Sequence, residues 1–389
     1  MSQPAHLSGV TVLDLASVGP AARCTRILAD YGATVIKVAP TPRKGALQTQ
    51  PAYWAYSAGR GMKRVQIDLK APAGKAAFLR LAAAADVIIE SYRPGVVARL
   101  GIGYDDVRRV NERIVYCSTS GYGQDGPASQ WAGHDLNYLA VGGYLYCGGR
   151  RADGGPALPG ATVADSAAGG MHAVIAIMAA LLRRHATGSG EYLDVSVADG
   201  VLFFTSLYVD QYLATGVKPG PGHDILTGRY AFYDLYQARD GKWLAVGAIE
   251  SAFYRNLCTA LGCEHWIPHQ TDDARQEEIR AAFRAAFATR DRDDWVTELA
   301  PRDTCVAPVY SIEELTNDPQ FAHRRVFVEA LHEQHGRFRQ LGPVMAGIDR
   351  SPATYAAPGA SRTDTAALLR QAGVPAPEIE EMVKQGAIA

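Results

Sequence analysis

Residues 9–16, GVTVLDLA, alternate Val and Leu with smaller or polar side chains, which is the pattern of a buried strand. SVGPAARCTRILADYGA then reads as a turn, a helix and a helix stop at Gly32. TVIKVAP supplies a second strand. Strand, helix and strand in so short a span make a βαβ unit, which joins parallel strands by a right-handed crossover. The pattern repeats. KRVQIDL predicts a strand, and APAGKAAFLRLAAAA a helix with Phe78, Leu81, Ala82 and Ala85 on one face. DVIIESY and RIVYCSTSGYG predict two further strands. The first part of the chain is therefore expected to be an α/β domain with a mostly parallel sheet.

Further along, ATVADSAAGGMHAVIAIMAALLRRHATGSG reads as a small-residue turn feeding a long apolar helix. A basic last turn and Gly188 end it. EYLDVSVADGVLFF resumes as strand and then helix. Gly and Pro cluster in residues 216–224, GVKPGPGHD, where we place a domain boundary. YAFYDLYQARDGKWLAVGAI predicts a hairpin turning at Asp240-Gly241, and several helices follow. Ser311 and Glu314 have capping-box spacing. The expected organisation is a Rossmann-like large domain over 1–218, a smaller α+β domain over 219–325, and a C-terminal segment over 326–389.

Composition narrows the class. A chain of 389 residues exceeds one ordinary core. Its formal net charge of −1 gives no overall field toward nucleic acid or an anionic membrane. The six cysteines contain no CxxC pair, which argues against a zinc site or a disulfide framework. The start MSQPAHLSGV has no charged n-region or apolar h-region, and the longest apolar run, 173–182, is about half a bilayer span. The expectation is a cytoplasmic protein with no nucleic-acid, membrane or metal partner. ASVGPA lacks the GxGxxG glycines, so NAD binding is not expected.

Three polar residues stand out. His134 follows a glycine in AGHDLNYLAVGG and is either a polar residue near a core or a proton-transfer group. Asp165, just before the predicted apolar helix, is either its N-cap or a reactive carboxylate. The helix N-terminus would lower its pKa and burial would raise it. Glu250 closes WLAVGAIE and is either a solvated first-turn acid or a site residue.

Several strings together resemble one family. LADYGATVIKV, DLKAPAGKAAFLRLAAAADVIIESYRPG, GHDLNY, VADSAAG and YAFYDLYQARDGKWLAVGAIESAFY are similar, in order and spacing, to the class III CoA-transferase (CaiB/BaiF) family over roughly residues 7–328. GHDLNY and VGAIESAFY place the likeness nearest the α-methylacyl-CoA racemase branch. The resemblance implies an interlocked homodimer whose site lies between the large domain of one chain and the small domain of the other. The C-terminal segment then returns to the large domain. Coenzyme A arrives on the substrate, so no separate cofactor is implied.

The implied activity is racemisation of 2-methylacyl-CoA thioesters in lipid metabolism. His134 and Asp165 would be the two bases, and Glu250 would support the histidine. Lys37, Gly59, Lys63, Arg64 and Arg93 would meet the CoA moiety, and Tyr233 and Asp234 the acyl pocket. A backbone N–H near Asp165 is expected to face the developing enolate oxygen. The other branch implies a CoA-transferase, in which Asp165 attacks the acyl carbonyl to form a mixed anhydride. That chemistry has no use for a His134–Glu250 pair. Three positions depart from the racemase pattern: Ala161 and Ser166, where NLVGDFGGG carries Asn and Phe, and Arg229, where small residues are usual.

Overall fold

A computed structural model describes residues 4–16, 18–42, 53–54, 59–352, 354–357, 359 and 362–389. Six strands form the central sheet: β1 (Thr11–Asp14), β2 (Thr34–Ala39), β3 (Lys63–Gln66), β4 (Val87–Glu90), β5 (Val115–Ser120) and β6 (Glu191–Ser196). All neighbours pair in parallel, in the order β3-β2-β1-β4-β5-β6. Both faces are covered, so apolar residues alternate between two cores instead of facing water. Val12, Val87 and Ile89 pack with Ala21, Leu28, Ala173 and Ile177 from helices Gly19–Asp30 and His172–Thr187. Leu13 and Ile88 pack with Phe78 and Leu81 from helix Pro72–Ala83 and with Leu369 and Met382 from the C-terminal helices.

This strand order fixes where a ligand fits. The chain leaves β1 for β2 on one side, and β4 lies on the other side of β1. At that reversal the connections diverge and leave a crevice beyond the carboxyl ends of the strands.

The helical run Ala164–Thr187 is long and apolar enough to cross a membrane by length and composition. In this fold Ala173, Val174, Ile177 and Ala180 are buried against the sheet.

The chain forms two units. The first comprises residues 1–142, 159–205 and 319–389, and the second residues 143–158 and 206–318. The second holds a three-stranded antiparallel sheet, β7 (Tyr233–Gln237), β8 (Trp243–Gly247) and β9 (Val306–Pro308), with the hairpin at Asp240-Gly241. Tyr236, Leu244, Tyr254, Phe283, Phe287 and Trp295 build its core. A last sheet, β10 (Phe327–His332), β11 (Gly336–Leu341) and β12 (Thr354–Ala357), belongs to the first unit. The division falls inside helix Val197–Thr215, between Thr205 and Ser206, upstream of the expected boundary at 218/219. The Gly/Pro cluster there falls within the second unit instead, and the chain passes from one unit to the other along helix Val197–Thr215.

Candidate active site

A cleft of about 520 Å³ opens at the carboxyl ends of β1, β4 and β5. Gly19 and Pro20 follow β1, Ser91 to Pro94 follow β4, and Thr119, Ser120 and Gly121 end β5. His134, Asn137, Tyr138 and Asp165 complete its wall. The fold's switch point and the candidate chemistry thus coincide.

His134 precedes helix Asp135–Val141 with extended backbone, φ −128° and ψ 178°. Its backbone N–H donates to Asn137 Oδ1 at 3.0 Å, which satisfies one helix-start donor and fixes the loop. The glycine before it is required by space. A Cβ on Gly133 would stand 2.7 Å from the Tyr138 ring and 3.0 Å from the Tyr122 hydroxyl. The Tyr138 hydroxyl also donates to the Gly133 carbonyl at 2.6 Å. His134 itself is exposed to the cleft.

Asp165 is not an N-cap. It is the second residue of a π-helix, Ala164–Met171, that runs on into helix His172–Thr187. Such wide turns are rare and concentrate at functional sites. Small residues allow it: a Cβ on Gly169 would lie 2.5 Å from Pro20 Cβ. The Asp165 backbone N–H donates to Asp135 Oδ1 at 2.8 Å. That particular N–H is therefore engaged within the protein, and an N–H facing an enolate oxygen would have to come from a neighbouring residue.

Burial pushes the Asp165 carboxyl above the usual carboxylate range. Arg23 pulls it back, Asp135 pushes it up, and His134 pulls it down. The cleft thus holds an imidazole together with a carboxyl whose pKa burial raises. Both are groups that take and return protons.

Sequence reasoning missed Arg23. Its Nη1 lies 3.5 Å from Asp165 Oδ2 and donates to the Gly19 carbonyl at 3.0 Å. Its Nε reaches Ser166 Oγ and its Nη2 reaches Thr162 Oγ1, each at 3.0 Å. A basic residue in the helix after β1 was visible in the sequence, but no periodicity said that it faces the turn carrying Asp165. Ser166, one of the departures noted above, is explained by this contact.

Of the residues expected near CoA, Arg93 lines the cleft. It is exposed, with no ion-pair partner among the described residues. The structure does not bring Lys37, Gly59, Lys63 or Arg64 to that cleft. Lys37 Nζ binds Asp14 Oδ2 at 2.6 Å and the Ala16 carbonyl at 3.0 Å, neutralising a fully buried carboxylate. Gly59 adopts φ 64° beside buried Arg60, whose guanidinium holds Asp30, Gln340 Oε1 and the Leu341 carbonyl. Lys63 begins β3 and shares a depression with Thr11 and Thr34, at strand starts and so at the edge opposite the cleft. Arg64 Nη1 donates to the Gly359 carbonyl at 3.3 Å and its backbone N–H to Asp364 Oδ2 at 3.0 Å, which ties down the C-terminal segment.

Glu250, Tyr233 and Asp234 belong to the second unit. Glu250 directly precedes helix Ser251–Ala260, is exposed, and makes no side-chain cap bond. Burial raises the pKa of the Cys305 thiol, and the Glu250 charge adds to that shift. Asp234 opens β7 with Tyr233 and pairs with Arg280. Arg229 grips Asp273 through two contacts of 2.9 and 2.7 Å.

Comparison with known proteins places this geometry. The sequence profile of CoA-transferase family III matches residues 7–363. The chain belongs to CoA-transferase family III. It is 35% identical to human alpha-methylacyl-CoA racemase over 324 residues, covering 83% of this chain and 82% of that one. It is 30% identical to mouse succinyl-CoA:glutarate CoA-transferase over 357 residues, covering 87% and 80%. The crystal structure of a CAIB/BAIF family protein from Brucella suis shares its fold, with a TM-score of 0.77 at 24% identity over 95% of this chain and all of that one. Family III relatives thus carry names from both branches, and identity alone does not choose between them.

Proposed function

We propose that the protein interconverts the two enantiomers of 2-methylacyl-CoA thioesters. The observation that carries this reading is that His134 and Asp165 line one cleft, the carboxyl raised by burial. The α-proton of the thioester passes to one of the two groups. The electron pair moves onto the thioester oxygen as an enolate, and the other group returns a proton to the opposite face. Two groups in different protonation states serve both directions. Glu250 takes the supporting role that the family resemblance gives it. Arg93, exposed at the cleft, meets the anionic CoA, which enters as part of the substrate, so no separate cofactor is called for.

The protein is also proposed to act as a homodimer. Ile175 and Leu182, 68% and 75% exposed, and Leu207 and Leu213, 56% and 75% exposed, are large apolar side chains on two long helices. Burying them against a second copy removes that area from water.

The rival reading is CoA transfer with Asp165 as nucleophile. It explains the carboxylate but gives His134 no part. The test offers each pure enantiomer of a 2-methylacyl-CoA, with and without a free dicarboxylate. Loss of enantiomeric purity without the dicarboxylate supports the racemase. Stable stereochemistry with CoA moved to the dicarboxylate establishes the transferase instead.

A further inference from the structure

Arg23 is the one cation in direct contact with the Asp165 carboxylate among the described residues. Its guanidinium makes a fork around the start of the π-helix. Nε takes Ser166 Oγ, Nη2 takes Thr162 Oγ1, and Nη1 sits between Asp165 Oδ2 and the Gly19 carbonyl. Thr162 and Ser166 lie on either side of Asp165, and their hydroxyls are 3.2 Å apart. The base of the Arg23 side chain packs closely on the π-helix, since a Cβ on Gly170 would come 3.0 Å from Arg23 Cβ. Both side chains are mostly buried, 14% exposed for Arg23 and 17% for Asp165, so solvent screens the pair little.

We propose that Arg23 is a positioning residue that holds the Asp165 carboxyl in place at the cleft through their ion pair. It acts through Asp165 and does not itself touch substrate. The planar fork suits this task because one side chain can bind two hydroxyls and a carboxylate at fixed angles. The charged and titratable groups facing Asp165 from its packed neighbours are Arg23, His134, Asp135 and Tyr138. Burial and Asp135 favour the protonated acid, and Arg23 is the largest influence opposing them. Without it, Asp165 keeps its proton to higher pH. The inference rests on Asp165 being a reacting group, and it holds for either branch, because Asp165 must be ionised both to take the α-proton in one direction of racemisation and to attack a carbonyl.

The test reads the carboxyl directly. The full-length protein is labelled with [γ-¹³C]Asp, and the Asp165 signal is assigned by its loss in Asp165→Asn. It is then titrated by NMR in wild type, Arg23→Met, Arg23→Lys and Ser166→Ala. Arg23→Met is expected to move the midpoint up by about one pH unit. Arg23→Lys, which keeps the charge, restores most of the shift. Ser166→Ala, which removes one hydroxyl contact and no charge, leaves the midpoint in place. An unchanged midpoint in folded Arg23→Met overturns the proposal. If Arg23→Met does not fold, a wild-type midpoint in Arg23→Gln overturns it equally. Because no turnover is needed, the result stands apart from the assays of racemisation and CoA transfer.

Discussion

Asp135 and Asp165 are joined by a single hydrogen bond, from the backbone N–H of Asp165 to the carboxylate of Asp135 at 2.8 Å. The bond links the loop that presents His134 to the π-helix that presents Asp165. It also sets a second negative charge beside the Asp165 carboxyl, which raises its pKa.

Asp135→Asn separates these two effects. Its amide oxygen still accepts the N–H, but the charge is gone. The Asp165 pKa then falls, and the acid limb of the pH–rate profile moves to lower pH. That is the direction opposite to Arg23→Met. Asp135→Ala also leaves a part-buried donor without its partner, which costs about 1–3 kcal/mol and lowers the urea midpoint. An acid limb that moves up in Asp135→Asn contradicts this assignment.

Glu90 ends β4 just behind the cleft and is 1% exposed. Burial raises its pKa from 4.5 to about 7, against a hydrogen bond donated by the Tyr92 backbone N–H to Oε2 at 2.6 Å. The folded-state pKa exceeds the unfolded one. Its contribution to stability is therefore complete below about pH 4.5 and lost as pH rises through 7. The loss is on the order of 3 kcal/mol. Glu90→Gln keeps the shape and removes this slope. Urea midpoints of wild type and variant, measured from pH 5 to pH 8, converge or cross as pH rises. Parallel curves contradict the burial argument.

If Leu207 and Leu213 are covered by a second copy, the double substitution to Glu places charges in an apolar contact. Sedimentation velocity then finds wild type as a dimer and Leu207→Glu/Leu213→Glu as a monomer. A monomeric wild type contradicts the proposed assembly.

Much of the fold was legible. The Val- and Ile-rich strands and the spacing of Phe78 and Leu81 gave the parallel sheet, because both faces of such a sheet must be apolar. The strand order was not legible, since periodicity says nothing about which strands neighbour. The crevice between β1 and β4 therefore appears only in the structure. Asp165 was read as a helix-start residue because small side chains precede an apolar run. A π-turn has no sequence period that separates it from an ordinary first turn. The sequence gives no sign of where the ammonium of Lys37 goes. A strand residue alternates between two faces and its partner, Asp14, lies on another strand, so their pairing is a tertiary fact. Arg23 was passed over for the same reason, its contacts being 139 and 143 residues away.

The most direct measurement is solvent deuterium incorporation at the α-carbon. Each enantiomer of a 2-methylacyl-CoA is incubated in D₂O with wild type, His134→Ala and Asp165→Asn. NMR follows the label and chiral chromatography follows the stereochemistry. Wild type is expected to incorporate deuterium and lose enantiomeric purity from both substrates. Each single variant is expected to lose racemisation by at least about 100-fold, because one face then lacks its proton-transfer group. Racemisation at the wild-type rate in either variant, or no α-exchange in wild type, contradicts the two-group account.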